Sequence, residues 1–81
     1  MDKDVWLHER DLARQDISRN LRRKMREGRL TNKSLAARMK IAHSTVSEMV
    51  AGHRLPSALR LKQLADALGC TTDELLEGVG E

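Results

Sequence analysis

The side chains able to do chemistry are few, and their spacing does not suit catalysis. His8, His43 and His53 lack metal-ligand spacing with one another or with Cys70. No glycine-rich phosphate loop occurs, and no nucleophile stands beside a base. Neither an enzyme nor a metal or cofactor site is expected. What the chain does offer is hydrogen bonding. His43, Ser44, Thr45, Ser47 and Glu48 are polar, and the neighbouring Val46, Met49 and Val50 are apolar. On a helix these two sets lie on different faces. A helix with a small, polar outer face fits a DNA major groove, where base edges present donors and acceptors.

Positioning that helix falls to residues 32–56, NKSLAARMKIAHSTVSEMVAGHRLP. The pattern predicts two short helices, over 32–39 and 43–51, then a basic loop ending in Pro56. Leu35, Ala36 and Met39 share one face of the first. Lys40, Ile41 and Ala42 make a connection too short for a loose loop, and Ala36 is small where crossing helices must approach closely. Thr31 is the expected N-cap of the first helix. Thr45 and Glu48 also form a T-x-x-E capping pattern, which would start the second helix later. The earlier start keeps Val46, Met49 and Val50 facing the core and is preferred.

The rest of the chain supplies support. A helix is predicted over 16–27, with Ile17, Leu21 and Met25 inward and Arg19, Arg22, Arg23, Lys24 and Arg26 on the remaining surface. Gly28 should end it as a left-handed residue. Pro56 and Ser57 start a further helix that buries Leu61, Leu64, Ala65 and Leu68 and ends at Gly69. Thr71 and Glu74 are expected to form a capping box for a short last helix ending near residue 77, with Leu75 and Leu76 closing the core. No strand-like alternation appears, so the fold class is all-α, a compact five-helix bundle.

The chain has 81 residues, enough for one small domain. With no Phe or Tyr and a single Trp, the core must be aliphatic. The single cysteine, Cys70, excludes an internal disulfide and reads as a structural thiol. No apolar run reaches the length of a signal peptide or a membrane span. Net charge is only +3, but it is unevenly spread. Residues 16–62 hold twelve Lys or Arg against three acids, and residues 63–81 hold five acids and no base. A basic block that coincides with the two short helices implies a polyanion partner.

At Leu35-Ala36, Val46, the Gly52-His53-Arg54-Leu55-Pro56-Ser57 loop and LKQLADALG over 61–69, the chain resembles the Cro/phage-repressor type of helix-turn-helix (XRE-like) transcriptional regulator. The resemblance covers about residues 17–76. It implies a lambda-repressor-like DNA-binding domain over 16–77, with a tail over 78–81. Carried over residue by residue, it implies that His43, Ser44, Thr45, Ser47 and Glu48 face the groove, with His43, Ser44 and Glu48 as the main base readers. A carboxylate at position 48 would accept from cytosine N4. Asn32 matches a phosphate-bonding position. Further phosphate contacts are expected from His53 and Arg54, then from Lys33, Arg38, Lys40 and Arg60. Two departures stand out. Lys40 occupies a turn position that most relatives fill with Gly, and Met25 and Val50 replace a buried Arg–Glu pair, a reciprocal change that leaves no charge unpaired.

The resemblance further implies a bacterial or phage-encoded cytoplasmic repressor that binds double-stranded DNA as a homodimer on a palindrome, with half-sites about 34 Å apart. Leu59, Leu76 and Val79 are the expected dimer contacts. The alternative is an antitoxin-like interaction module whose main partner is another protein. The polar helix face with its basic flank argues against it. Residues 1–15 lie outside the family pattern. Val5, Trp6, Leu7, Leu12 and Ala13 suit a turn or two of amphipathic helix, packed against the domain or a partner, or else partly disordered.

Overall fold

A computed structural model describes residues 3–80, with side chains from His8 onward. Its elements are α1 (Lys3–Glu27), α2 (Asn32–Met39), α3 (His43–Val50), α4 (Ala58–Leu68) and α5 (Thr72–Leu75), and no strand occurs among the described residues. The helix predicted from residue 16 therefore begins at Lys3 instead. Nothing interrupts it: residues 3–27 contain no Gly or Pro, and Arg14 pairs with Asp11 one turn back. Twenty-five residues at about 1.5 Å each make α1 roughly as long as the molecule's 39 Å axis. Leu12 is exposed and Ala13 half-buried on this extension. The side chains of Val5, Trp6 and Leu7, named above as its apolar face, lie outside the described residues.

α1, α2, α3 and α4 end in one shared geometry. Leu30 N donates to Met25 O, Ile41 N to Ala36 O, His53 N to Glu48 O and Cys70 N to Ala65 O, at 2.8–3.1 Å. Each bond spans a left-handed residue: Arg29 (φ 55°), Lys40 (φ 59°), Gly52 (φ 84°) and Gly69 (φ 69°). This satisfies carbonyls that a helix end leaves orphaned. The expectation that Gly28 takes the left-handed role is corrected, because Arg29 takes it one residue later. At Gly52 the left-handed φ is what calls for glycine; an added Cβ would meet Ser18 Cβ on α1 at 3.4 Å, an ordinary packing distance.

The core is aliphatic. Ile17, Leu21 and Met25 of α1 meet Leu35, Ala36, Val46, Met49, Val50, Leu61, Leu64, Ala65 and Leu75. Leu21, Leu35, Val46, Leu64 and Leu75 have no exposed surface, and each contributes about 1.5–3 kcal/mol through burial. Two polar residues are buried with them. Ser18 Oγ donates to Val50 O at 2.5 Å, and Asn20 Nδ2 donates to Leu75 O and Glu77 O, both at 2.8 Å. Thus α1 caps the C-terminal end of α3 with one side chain and that of α5 with another.

The capping box expected at Thr71 and Glu74 forms only in part. Glu74 N donates to Thr71 Oγ1 at 3.1 Å, but the Glu74 carboxylate turns to Lys24 Nζ at 2.8 Å. A complete box forms instead at the start of α2. Ser34 N donates to Thr31 Oγ1 at 3.1 Å, and Thr31 N donates to Ser34 Oγ at 2.8 Å.

Candidate nucleic-acid interface

The outward face of α3 follows from its inward one. Val46, Met49 and Val50 are buried, so the turns between them carry their polar residues outward. His43 and Ser44, in the first turn, are exposed, and neither side chain is hydrogen-bonded among the described residues. Thr45, Ser47 and Glu48 are half-buried along the same helix. Ala42 precedes α3 in an extended conformation, and Thr45 N and Val46 N both donate to Ala42 O, so Thr45 is inside the helix rather than its N-cap.

Two contacts tie this face to its surroundings. Asn32 Nδ2 at the start of α2 lies 3.5 Å from Ser47 Oγ, a long bond that sets the first residue of α2 beside the middle of α3. Arg54 Nη2 lies 2.8 Å from Glu48 Oε2, so the expected cytosine acceptor and the expected phosphate ligand meet each other. Both are about half-exposed, which makes the pair a weak one, worth about 0–1 kcal/mol. A guanidinium has five donors, and those not used on Glu48 remain free to meet an anion.

The other expected phosphate ligands divide. Lys33, Lys40 and His53 are exposed, and Lys40 sits at the turn between α2 and α3. Arg38 is not brought to the α3 face. Its Nη1 donates to Ala67 O at 2.9 Å, satisfying a carbonyl in the last turn of α4. Arg60 is half-buried, and its Nη1 donates to Gln63 Oε1 at 3.1 Å. Of the expected dimer contacts, Leu59 is 69% exposed and Leu76 37% exposed, whereas Val79 is half-buried against the core.

Arg22 and Arg26 of α1 were not among the expected contacts. They line a shallow hollow together with Thr31 and Asn32, and Arg22 also lines a second hollow with Gly52 and His53. The signal available in the sequence was their i, i+4 spacing on one helical face.

Cys70 is half-buried. Burial, and then the negative charge of Glu74, push its thiol above the ordinary value of 9.0, so it stays protonated and poorly nucleophilic at neutral pH. Among the described residues no three His, Cys, Asp or Glu side chains form a group able to hold a metal ion. Nor is any helix among them long and apolar enough to cross a membrane.

A family model described as Helix-turn-helix (HTH_3) matches residues 21–75, well over half of the chain. No curated protein and no solved structure matches it.

Proposed function

Since the chain belongs to the Cro/C1-type, XRE-like helix-turn-helix family of DNA-binding regulators, we propose that it is a sequence-specific repressor. In this reading it binds a palindromic operator as a homodimer. α3 enters the major groove, where His43, Ser44 and Glu48 read base edges, with Thr45 and Ser47 at the groove's margins. Asn32, Lys33, Lys40, His53 and Arg54 hold phosphates on either side of it. Arg60 is a further phosphate contact if its bond to Gln63 is given up. Phosphate contacts supply most of the affinity and its salt dependence, and base contacts supply preference.

The observation that carries this reading is the division of α3. Its exposed first turn leaves His43 and Ser44 without side-chain partners among the described residues, while Val46, Met49 and Val50 anchor the helix in the core. Two copies with α3 helices about 34 Å apart would meet successive turns of one duplex face. Dimerisation through Leu59, Leu76 and Val79 belongs to the proposal, because a single module of this size buries too little DNA for tight specific binding.

The test is selection of bound duplexes from a random pool at near-physiological salt. An inverted repeat is expected, and its half-site must be one that His43, Ser44 and Glu48 can read. Bulk, salt-sensitive binding with no recovered motif would refute sequence-specific recognition by this chain alone.

A further inference from the structure

We propose that Arg22 and Arg26 form a phosphodiester-binding pair on α1, a second cationic contact to duplex DNA beside α3. The inference rests on the DNA-binding reading above and extends the interface to a helix that supplies none of its expected contacts.

Charge pairing along α1 singles these two residues out. Arg14 faces Asp11, Arg19 faces Asp16 at 2.7 Å, Arg23 faces Glu77 at 2.7 Å, and Lys24 faces Glu74 at 2.8 Å and Glu27 at 3.4 Å. Arg22 and Arg26 meet no carboxylate and make no side-chain hydrogen bond among the described residues, and both are exposed. They lie four residues apart, where like charges face each other and oppose helix formation. Among the described residues no carboxylate pairs with either of them to offset that repulsion. An anion between the two guanidinium groups would.

Their position identifies the anion. The hollow they share with Thr31 and Asn32 has the buried side chains of Met25 and Val50 beneath it. Asn32 in turn touches Ser47 of α3, so the hollow opens beside the recognition face. Through the second hollow Arg22 also neighbours His53. It therefore stands between two residues already expected to meet the backbone, Asn32 and His53. Guanidinium forks match phosphate oxygens bidentately and are weakly hydrated, which suits a hollow partly floored by apolar atoms. A duplex seated on α3 presents its phosphates in a continuous row, and a row that passes Asn32 and His53 runs past Arg22 and Arg26.

The experiment is the salt dependence of binding to one selected duplex. Each neutralised phosphate adds about 0.9 to the slope of log K against log salt. Arg22→Gln with Arg26→Gln is expected to lower the slope by about 1.8 and to weaken binding to every sequence alike. Arg14→Gln with Arg23→Gln removes the same charge from the same helix at residues that already face carboxylates, and is expected to leave the slope nearly unchanged. Arg22→Lys with Arg26→Lys should keep most of it. Thermal unfolding of each variant checks the fold; should the double Gln variant unfold, the single variants carry the same test at half the change. A wild-type slope in the Arg22/Arg26 variant, or an equal fall in the Arg14/Arg23 variant, overturns the proposal. Absence of any DNA binding by the wild-type chain would overturn the DNA-binding reading itself, and the pair with it.

Discussion

At Lys40 the backbone takes φ 59° and ψ 43°, and at Arg29 φ 55°, conformations that an L side chain resists by about 1–2 kcal/mol. Gly52 and Gly69 fill the same role at the ends of α3 and α4 without that cost. Both exceptions are basic, and a cation at a helix C-terminus is favoured by the helix dipole. Lys40→Gly is thus expected to raise thermal stability slightly, by about 1 kcal/mol or less once the added chain entropy of glycine is counted. The same variant should weaken DNA binding on all sequences if Lys40 holds a phosphate. Clear loss of Tm would mean that the lysine stabilises the turn in some further way. The Glu48–Arg54 pair calls for a different comparison. Being half-exposed, it costs little to separate. Arg54→Ala should therefore weaken binding to every duplex, whereas Glu48→Ala should change preference at one base pair by about 1–3 kcal/mol. Binding isotherms on the selected site and its single-base variants would separate the two. An equal change on all sequences for Glu48→Ala would make Glu48 a support for Arg54 rather than a base reader.

At the scale of elements, the weight of α1 was the least legible part of the sequence. Ile17, Leu21 and Met25 marked its buried stripe, and the apolar spacing of 35–50 marked α2 and α3, because helical periodicity is a local signal. Ser18 and Asn20 gave no such signal. Their partners, Val50 O and Leu75 O, lie 32 and 55 residues away, so two small polar residues read as surface until the fold closes over them. Asn20→Ala should cost about 2 kcal/mol, since it strands one buried and one part-buried carbonyl and leaves a small void, and urea unfolding would measure it. The bond from Arg38 to Ala67 O was hidden for the same reason, because its acceptor on α4 is distant in sequence. The α1–α5 contact also carries a pH dependence. The hydrogen bond to Lys24 pulls Glu74 below its ordinary 4.5, and the reciprocal bond, opposed by burial and helped by Glu27, lifts Lys24 above 10.5. A depressed carboxylate contributes stability above the unfolded value that is lost as pH falls through the folded one; a raised lysine contributes below 10.5 and loses it as pH rises further. Tm measured against pH should therefore fall off below about 4.5 in the wild type, and less steeply in Glu74→Gln.

Over the whole molecule, the basic block at 16–62 and the acidic stretch at 63–81 were visible in the sequence, but the pairing between them was not. Folding spends part of the acidic stretch on α1, with Glu74 on Lys24 and Glu77 on Arg23. The cations that meet no carboxylate among the described residues include Arg22, Arg26, Lys33 and Lys40, around the start of α2 and the turn into α3. This concentrates positive charge near the exposed face of α3 by neutralising it elsewhere. Apolar exposure is distributed by the same logic. Leu59 on α4 and Leu76 just after α5 remain uncovered. Charging Leu59, 69% exposed, should alter monomer stability by no more than about 0.5 kcal/mol, whereas Leu76, 37% exposed, gives up packed surface as well. If they form the proposed dimer contact, Leu59→Glu should keep helicity and Tm while shifting sedimentation equilibrium towards monomer. On an inverted repeat, the variant should then protect a single half-site with much lower affinity, because two linked modules gain from effective concentration what one module lacks. Retained protection of both half-sites at wild-type affinity would move the dimer contact elsewhere, and the exposed flank of α1 around Leu12 would be the next surface to vary.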